Sequence, residues 1–511
     1  MSLYHTMTAT QGIRSSLNSL IQVIKPLGVL DSIASVLSWD EETGMPPSGI
    51  HRRAEQSAVL AQMTHERWHS AELRNALAPH IDLTTGVVNP DYTLEESRLV
   101  SETYRQWRKK MAIPTAFATR WAALVAEAQH CWQTARDHND YRQFAPHLDQ
   151  ILVAVREKAQ YLGYSQHPYD ALLDCFEPGM TTQRLTSVFE PLKHGLRQQL
   201  DQCSFREDRP TLPGIFNEDK QWDLGVMILK KMGFDFNRGR QDRSAHPFTT
   251  TFGVDDVRIT TRFSPTDILE GLSSTIHEGG HALYEQGLKV QWADTPLGMA
   301  CSLGIHESQS RVWEVVIGRH AAFWEGIHPH LQAVFPENFA NIDPKTMYRY
   351  VNHVAPGPIR VSADEVSYNM HIMIRFELEQ QMLQGSIDAM ALRDLWNAQY
   401  QQELGVHVRD DRTGILQDVH WSAGLIGYFP TYTLGNLYSV MVFEAAQRAI
   451  PNLMDCMANL EFTSFTQWLN ETIHCHGQLY DAETLIHRAT GERLSATPFL
   501  DYLQNKYPIT D

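Results

Sequence analysis

Residues 264–287 read SPTDILEGLSSTIHEGGHALYEQG, and this stretch specifies both a helix and a chemistry. Ser264, Pro265 and Asp267 form a helix start: a serine cap, a proline at the first helical position and an acid close behind. Ile268, Leu269, Leu272 and Ile276 supply an apolar face, and Gly287 is a stop. His277 and His281 are four residues apart, so their imidazoles leave the same face and can converge on one ion. Glu278 follows the first histidine, where a carboxylate can take a proton from a metal-bound water. The bare pattern also arises by chance in a His-rich chain, where it leaves two histidines on an ordinary helix surface. Gly279 and Gly280 each cost about 1 kcal/mol of helix propensity relative to alanine. Two adjacent glycines there make sense if a neighbouring backbone or a substrate approaches closely.

A catalytic zinc site needs a third protein ligand and an open position. Glu285 lies on the same helix, but side chains at i, i+4 and i+8 span about 12 Å of axis and cannot share one ion. Asp294, beside Pro296, falls in a poorly held loop. Glu307 opens a second amphipathic segment, HESQSRVWEVVIG, far enough downstream for an antiparallel return past the first helix. Arg311, one turn on, can orient that carboxylate or simply pair with it on a helix surface.

Outward from this core the chain reads as mostly helical. Segments near 12–40, 50–78, 92–111, 115–136 and 143–163 carry apolar residues at spacings of three and four, punctuated by Pro46, Pro47, Pro114 and Pro168. One strand pair is expected, HPFTTTFGVDDVRITTRF from His246 to Phe263, alternating about a turn at Gly253–Asp256. With 511 residues, length alone suggests about three domains. No repeat or linker divides the chain, so a single catalytic domain over residues 1–511 is expected. The net charge of −17 disfavours nucleic acid and an anionic membrane surface as partners. No secretory signal is read at the N-terminus, and the apolar run Leu20–Leu30 holds Lys25 and Pro26 and is too short to span a bilayer. Six cysteines without paired spacing fit reduced thiols, so a cytoplasmic protein is expected.

Several long blocks in order make the chain similar to the thermostable carboxypeptidase Taq family of metallocarboxypeptidases. SWDEETGMPP with RAEQSAVLAQMTHE resembles that family's opening helices, HPFTTTFGVDDVRITTRF its active-site hairpin and HEGGHALYEQG its metal helix. GIHESQSRVWE resembles the segment giving the third ligand, which carries that role onto Glu307. IRVSADEVSY, ILQDVHWSAGLIGYFPTYTLGNLYS and WLNETIHCHG complete the set. The resemblance implies a mainly α, elongated body in two halves around a deep groove, with a small antiparallel hairpin beside the site, as in neurolysin and angiotensin-converting peptidases. It also implies release of single C-terminal residues from peptides with broad tolerance, typically by a homodimer.

Such a reaction asks for one zinc ion (cobalt and manganese also suit the ligands) on His277, His281 and Glu307, with Glu278 as the base. Donors for the oxyanion are sought in GYFPTYTLGN, read as a turn: Tyr432 first, with His420 and Tyr428 behind it, each otherwise a packing residue. A free C-terminal carboxylate suits a bidentate arginine. Arg360 leads, unless Asp364 or Glu365 engages it. Arg409 is second, with Asp410 and Asp411 able to neutralise it. His246 is a substrate-binding or a structural histidine; His474 and His476, two apart, are read as structural.

Overall fold

The computed structural model describes residues 3–203, 209–212 and 214–508, with side chains from residue 17 onward. It is 67% helical. Among the described residues, nine α-helices precede the sheet: α1 (Leu3–Thr43), α2 (Ile50–Trp68), α3 (Ala71–Leu77), α4 (Leu94–Ala112), α5 (Thr115–His138), α6 (Ala145–Leu162), α7 (Pro168–Leu173), α8 (Thr182–Gln202) and α9 (Glu218–Met232). The helix expected over 50–78 is two. Ser70 interrupts it, its Oγ accepting from Leu73 N–H at 3.2 Å to cap α3. Thr93 and Glu96 close a reciprocal capping box that starts α4.

The α1 helix continues straight through Lys25 and Pro26, which had been expected to limit its apolar run. By length and composition its Leu17–Thr43 part is long and apolar enough to cross a membrane. Here Leu17, Leu20, Ile24 and Leu27 instead pack with Leu73, Leu77, Leu99 and Val100 in a small N-terminal core. A much larger core holds the rest of the protein. Between the N-terminal helices and that body runs a cleft of about 1210 Å³.

The expected hairpin is present but is part of a larger sheet. β2 (Thr249–Gly253) and β3 (Asp256–Thr261) are antiparallel, and β1 (Gly239–Arg243) lies parallel on the other side of β3. The sequence of β1, GRQDR, has no apolar alternation. Gln241 is its buried residue, donating to Thr261 Oγ1 at 3.0 Å.

Helix α10 (Ile268–Gly287) carries the histidines. Its cap is Asp267, whose Oδ1 accepts from Leu269 N–H at 2.9 Å, whereas Ser264 closes the preceding turn by accepting from Thr266 and Asp267. Helix α11 (Leu303–Arg311) passes directly against it. A Cβ on Gly280 would collide with the carbonyl oxygen of Gln309 and lie 2.7 Å from Ser310 Cα. The close backbone approach anticipated from the glycine pair is therefore made by α11. On the far side of α11 runs the helix Pro430–Ala449, and a Cβ on Gly435 would sit 2.5 Å from Glu307 Cγ. A six-residue π-helical turn, Val312–Ile317, continues α11.

Gly280→Ala should destabilise the protein by about 1–3 kcal/mol, because the clash is with immobile backbone and outweighs the gain in helix propensity. Gly279→Ala meets only the ends of Leu229 and Met232 and should cost less. Urea unfolding of both variants checks the order, and an equal or reversed cost would contradict the contact.

Candidate metal centre

The α10–α11 contact sets Glu307 opposite the two histidines. One ligand atom from each of His277, His281 and Glu307 lies within 4.8 Å of the others. Glu307 Oε2 is 3.8 Å from His277 Nε2 and 3.4 Å from His281 Nε2. Its carboxylate is steadied from its own helix by Ser310 Oγ at 3.2 Å. Arg311, expected to orient it, turns elsewhere. The guanidinium donates to Glu314 at 2.9 Å and to Asn436 Oδ1 at 2.6 Å, and Asn436 in turn reaches Asn369.

The outer ring nitrogens explain which face of each imidazole is available. His277 Nδ1 donates to Glu314 Oε2 at 2.8 Å, which leaves the Nε2 lone pair pointing at Glu307. His281 is set by a longer relay. Glu285 Oε1 accepts from His306 Nε2 at 2.8 Å, so a neutral His306 accepts at Nδ1 from His281 Nδ1, 2.6 Å away. That tautomer, assigned from the network, again leaves Nε2 free to ligate. Glu285, excluded above as a ligand on geometric grounds, thus supports a ligand through His306. Asp294 sits in the loop against α1, its backbone where a Cβ on Gly28 would fall.

Burial opposes charge on each of these groups, and the neighbours decide the outcome. His277 is pushed up to about 9 because Glu307 and Glu314 outweigh its burial. His281, buried and beside His306, is pushed down to about 4. Burial raises Glu278, which is 6% exposed and whose Oε2 accepts from Thr249 Oγ1 of β2 at 2.6 Å. Two imidazoles and three carboxylates (Glu278, Glu307 and Glu314) converge here, opposed by the guanidinium of Arg311 and, at Glu314, by the charge of Arg319 as well. The donor set fits a divalent ion of borderline softness.

A second cluster adjoins the first. Tyr432 stands in the first turn of the helix Pro430–Ala449, not in the turn expected from its glycines and proline. Its Oη is 3.3 Å from His420 Nε2, and its ring is 5.4 Å from that of Tyr428. The charge of Glu307 bears on both tyrosines, whose hydroxyls burial raises. Glu379 holds this loop, accepting from Trp421 Nε1 at 2.9 Å, Gly427 N–H at 3.1 Å and Tyr169 Oη at 2.6 Å.

Arg360 is buried, and its partner is Asp418, not Asp364 or Glu365. Its Nη2 and Nε lie 2.8 and 3.1 Å from Oδ1. Asp418 also receives Arg375, at 2.6 Å, so one carboxylate faces two guanidiniums. The remaining Nη1 of Arg360 donates to Tyr368 Oη at 3.1 Å, and its Cζ is 5.0 Å from the Tyr432 ring centre. The other candidates lie apart from this group. Arg409 is exposed, and Asp410 and Asp411 serve Thr413 and Arg393 rather than neutralising it. His246 is exposed in the loop before β2. His474 is buried on Gln309 Oε1 at 2.9 Å, and His476 packs on Tyr480.

Sequence reasoning missed Thr249, His306, Glu314, Tyr368 and Asp418. Only His306 carried a visible signal, as an ionisable neighbour of Glu307.

The whole chain has relatives. The model of the carboxypeptidase Taq (M32) metallopeptidase family matches residues 19–507. Thermostable carboxypeptidase 1 of Thermus thermophilus is 38% identical over 503 residues, covering 96% of this chain and 98% of that protein. Carboxypeptidase 1 of Bacillus subtilis is 35% identical over 493 residues, covering 95% and 96%. The crystal structure of an M32 carboxypeptidase from Deinococcus radiodurans, 36% identical, superposes with a TM-score of 0.92 over 96% of this chain and 98% of that one. With His277, His281 and Glu307 converging inside a fold shared end to end, the chain belongs to the carboxypeptidase Taq (M32) family of metallopeptidases.

Proposed function

We propose that the protein is a zinc-dependent carboxypeptidase that removes single residues, with broad tolerance, from the C-terminal ends of peptides. The observation that carries this reading is the convergence of His277, His281 and Glu307 with Glu278 alongside them. Zinc, when bound by those three residues, supplies Lewis acidity that acidifies a water and polarises the scissile carbonyl. Glu278, held by Thr249, takes the proton of the attacking water and returns it to the departing amine. Tyr432 donates to the developing oxyanion, with His420 at its hydroxyl to hold the orientation and Tyr428 completing the pocket wall.

Arg360 binds the terminal carboxylate of the peptide. Two guanidiniums share Asp418, so the cluster keeps surplus positive charge, and Nη1 is the edge not engaged by that acid. Exposed Arg409 and His246 have a weaker claim and serve, at most, the outer reaches of a longer peptide. The same reading takes the chain as one catalytic domain in the cytoplasm, where its six cysteines would stay reduced. A homodimer belongs to it on the family resemblance.

Two outcomes test the reading. Glu278→Gln should retain one zinc per chain by metal analysis while kcat falls by at least about a hundredfold, the lower range for general acid–base catalysis; full activity would remove Glu278 from the reaction. A peptide with a free C-terminus should be shortened residue by residue while its C-terminal amide resists, and Arg360→Met should raise KM for the free acid about tenfold or more. Mass spectrometry of the products reads both, and equal cleavage of acid and amide would mean an endopeptidase.

A further inference from the structure

The cleft beside the N-terminal helices contains a cation that no carboxylate among the described residues pairs with. α4 and α6 present Arg105, Lys109, Lys110 and Lys158 to it. Arg105 pairs with Glu102 at 2.7 Å, and Lys109 with Asp174. Lys110 is exposed, near enough to Asp31 of α1 to lower that acid against the effect of its burial. Lys158 is different. It is half-buried, its described contact is the Trp121 ring, 5.2 Å from Nζ, and no described residue forms an ion pair with it. Burial lowers its pKa, and besides the Cys175 thiol the charges acting on it are those of Lys109 and Lys110. Asp31, Glu41 and Glu285 also line the cleft, yet none of them forms an ion pair with Lys158.

The same cleft borders the metal centre at two places, through residues that stand behind the ligands; the ligands themselves are not part of its wall. His306 and Glu285, the relay behind His281, form part of its wall. Thr251 of β2 is another part, two residues from the Thr249 that holds Glu278. Arg360 lies outside the cleft wall. On the reading above, a peptide with its C-terminus at Arg360 crosses the metal and directs its upstream residues into this cleft. We infer that Lys158, with Lys110 nearer solvent, forms a subsite for an aspartate or glutamate side chain upstream of the scissile bond. Trp121 lies under the ammonium and limits its hydration, which favours a carboxylate over bulk water as its partner. In a protein of net charge −17 these two lysines favour an acidic side chain that the outer surface would repel.

The test uses the zinc-loaded full chain and peptides with one C-terminal residue and a single upstream Glu, Ala or Lys, moved one position at a time. At one position the wild type should favour Glu over Ala by about tenfold in kcat/KM, expressed in KM. Lys158→Arg should keep the preference, Lys158→Met should erase it and Lys158→Glu should invert it in favour of lysine. No preference at any position, or one that survives Lys158→Glu, overturns the subsite. Calorimetric titration of the Glu278→Gln protein with the same peptides separates this from the underlying reading. If the wild type cleaves none of these peptides yet their binding to the Glu278→Gln protein follows the same order, the subsite stands and the carboxypeptidase assignment fails. Equal binding overturns the subsite whatever the activity.

Discussion

Two backbones meet where Gly280 of α10 faces Gln309 and Ser310 of α11, and the geometry of the metal centre is measured from that contact. Had α10 carried any side chain there, α11 would be displaced by more than the tolerance of a coordination sphere. Gly435 repeats the device from the other side, so Glu307 is held between two helices at backbone distance. The helix weakened by its glycine pair is compensated by burial against α9, α11 and the sheet, since helices in proteins draw most of their stability from packing.

Charge is handled around the centre in a consistent way. Each acid beyond the ligands serves a defined proton or cation: Glu314 takes His277 and Arg311, Glu285 takes His306, and Asp418 takes Arg360 and Arg375. Removing one partner from such a buried group is costly, because the other is left charged without water. Glu177, like Glu379, is an exception. Buried at the start of α11, it accepts from Gly304 N–H, and burial pushes it up to about 8. A largely neutral carboxyl can occupy that apolar place where an ion could not.

The residues of one helix could be read without a structure because their spacing is their geometry: His277 and His281 share a face wherever α10 lies. The helical segments from 12 to 163 were legible for the same reason, except where Ser70 breaks one of them. The hairpin was legible, but β1 was not, since GRQDR enters the sheet through pairing with β3 and not by its own pattern. Glu314 and His306 support His277 and His281 from another segment, and no spacing within α10 names them. Arg311 shows the limit most clearly. Its spacing from Glu307 invited a pair, yet Glu314, three residues on, and Asn436 of a distant helix both claim its guanidinium. Tyr432 was placed in a turn because glycines and a proline surround it; the proline instead begins the helix, as it does at many helix starts.

Glu314 reaches His277 from the π-helical turn that follows α11. A π turn holds one more residue than the α turn it replaces. The segment between Glu307 and the end of that turn is therefore constrained in length. Loss of one residue within Val312–Ile317 would let the turn close as α-helix, and Glu314, which lies inside it, would lose the place from which it reaches His277. Substitutions in this segment are negotiable, whereas a change in chain length would separate the support of one ligand from the ligand on the preceding turn.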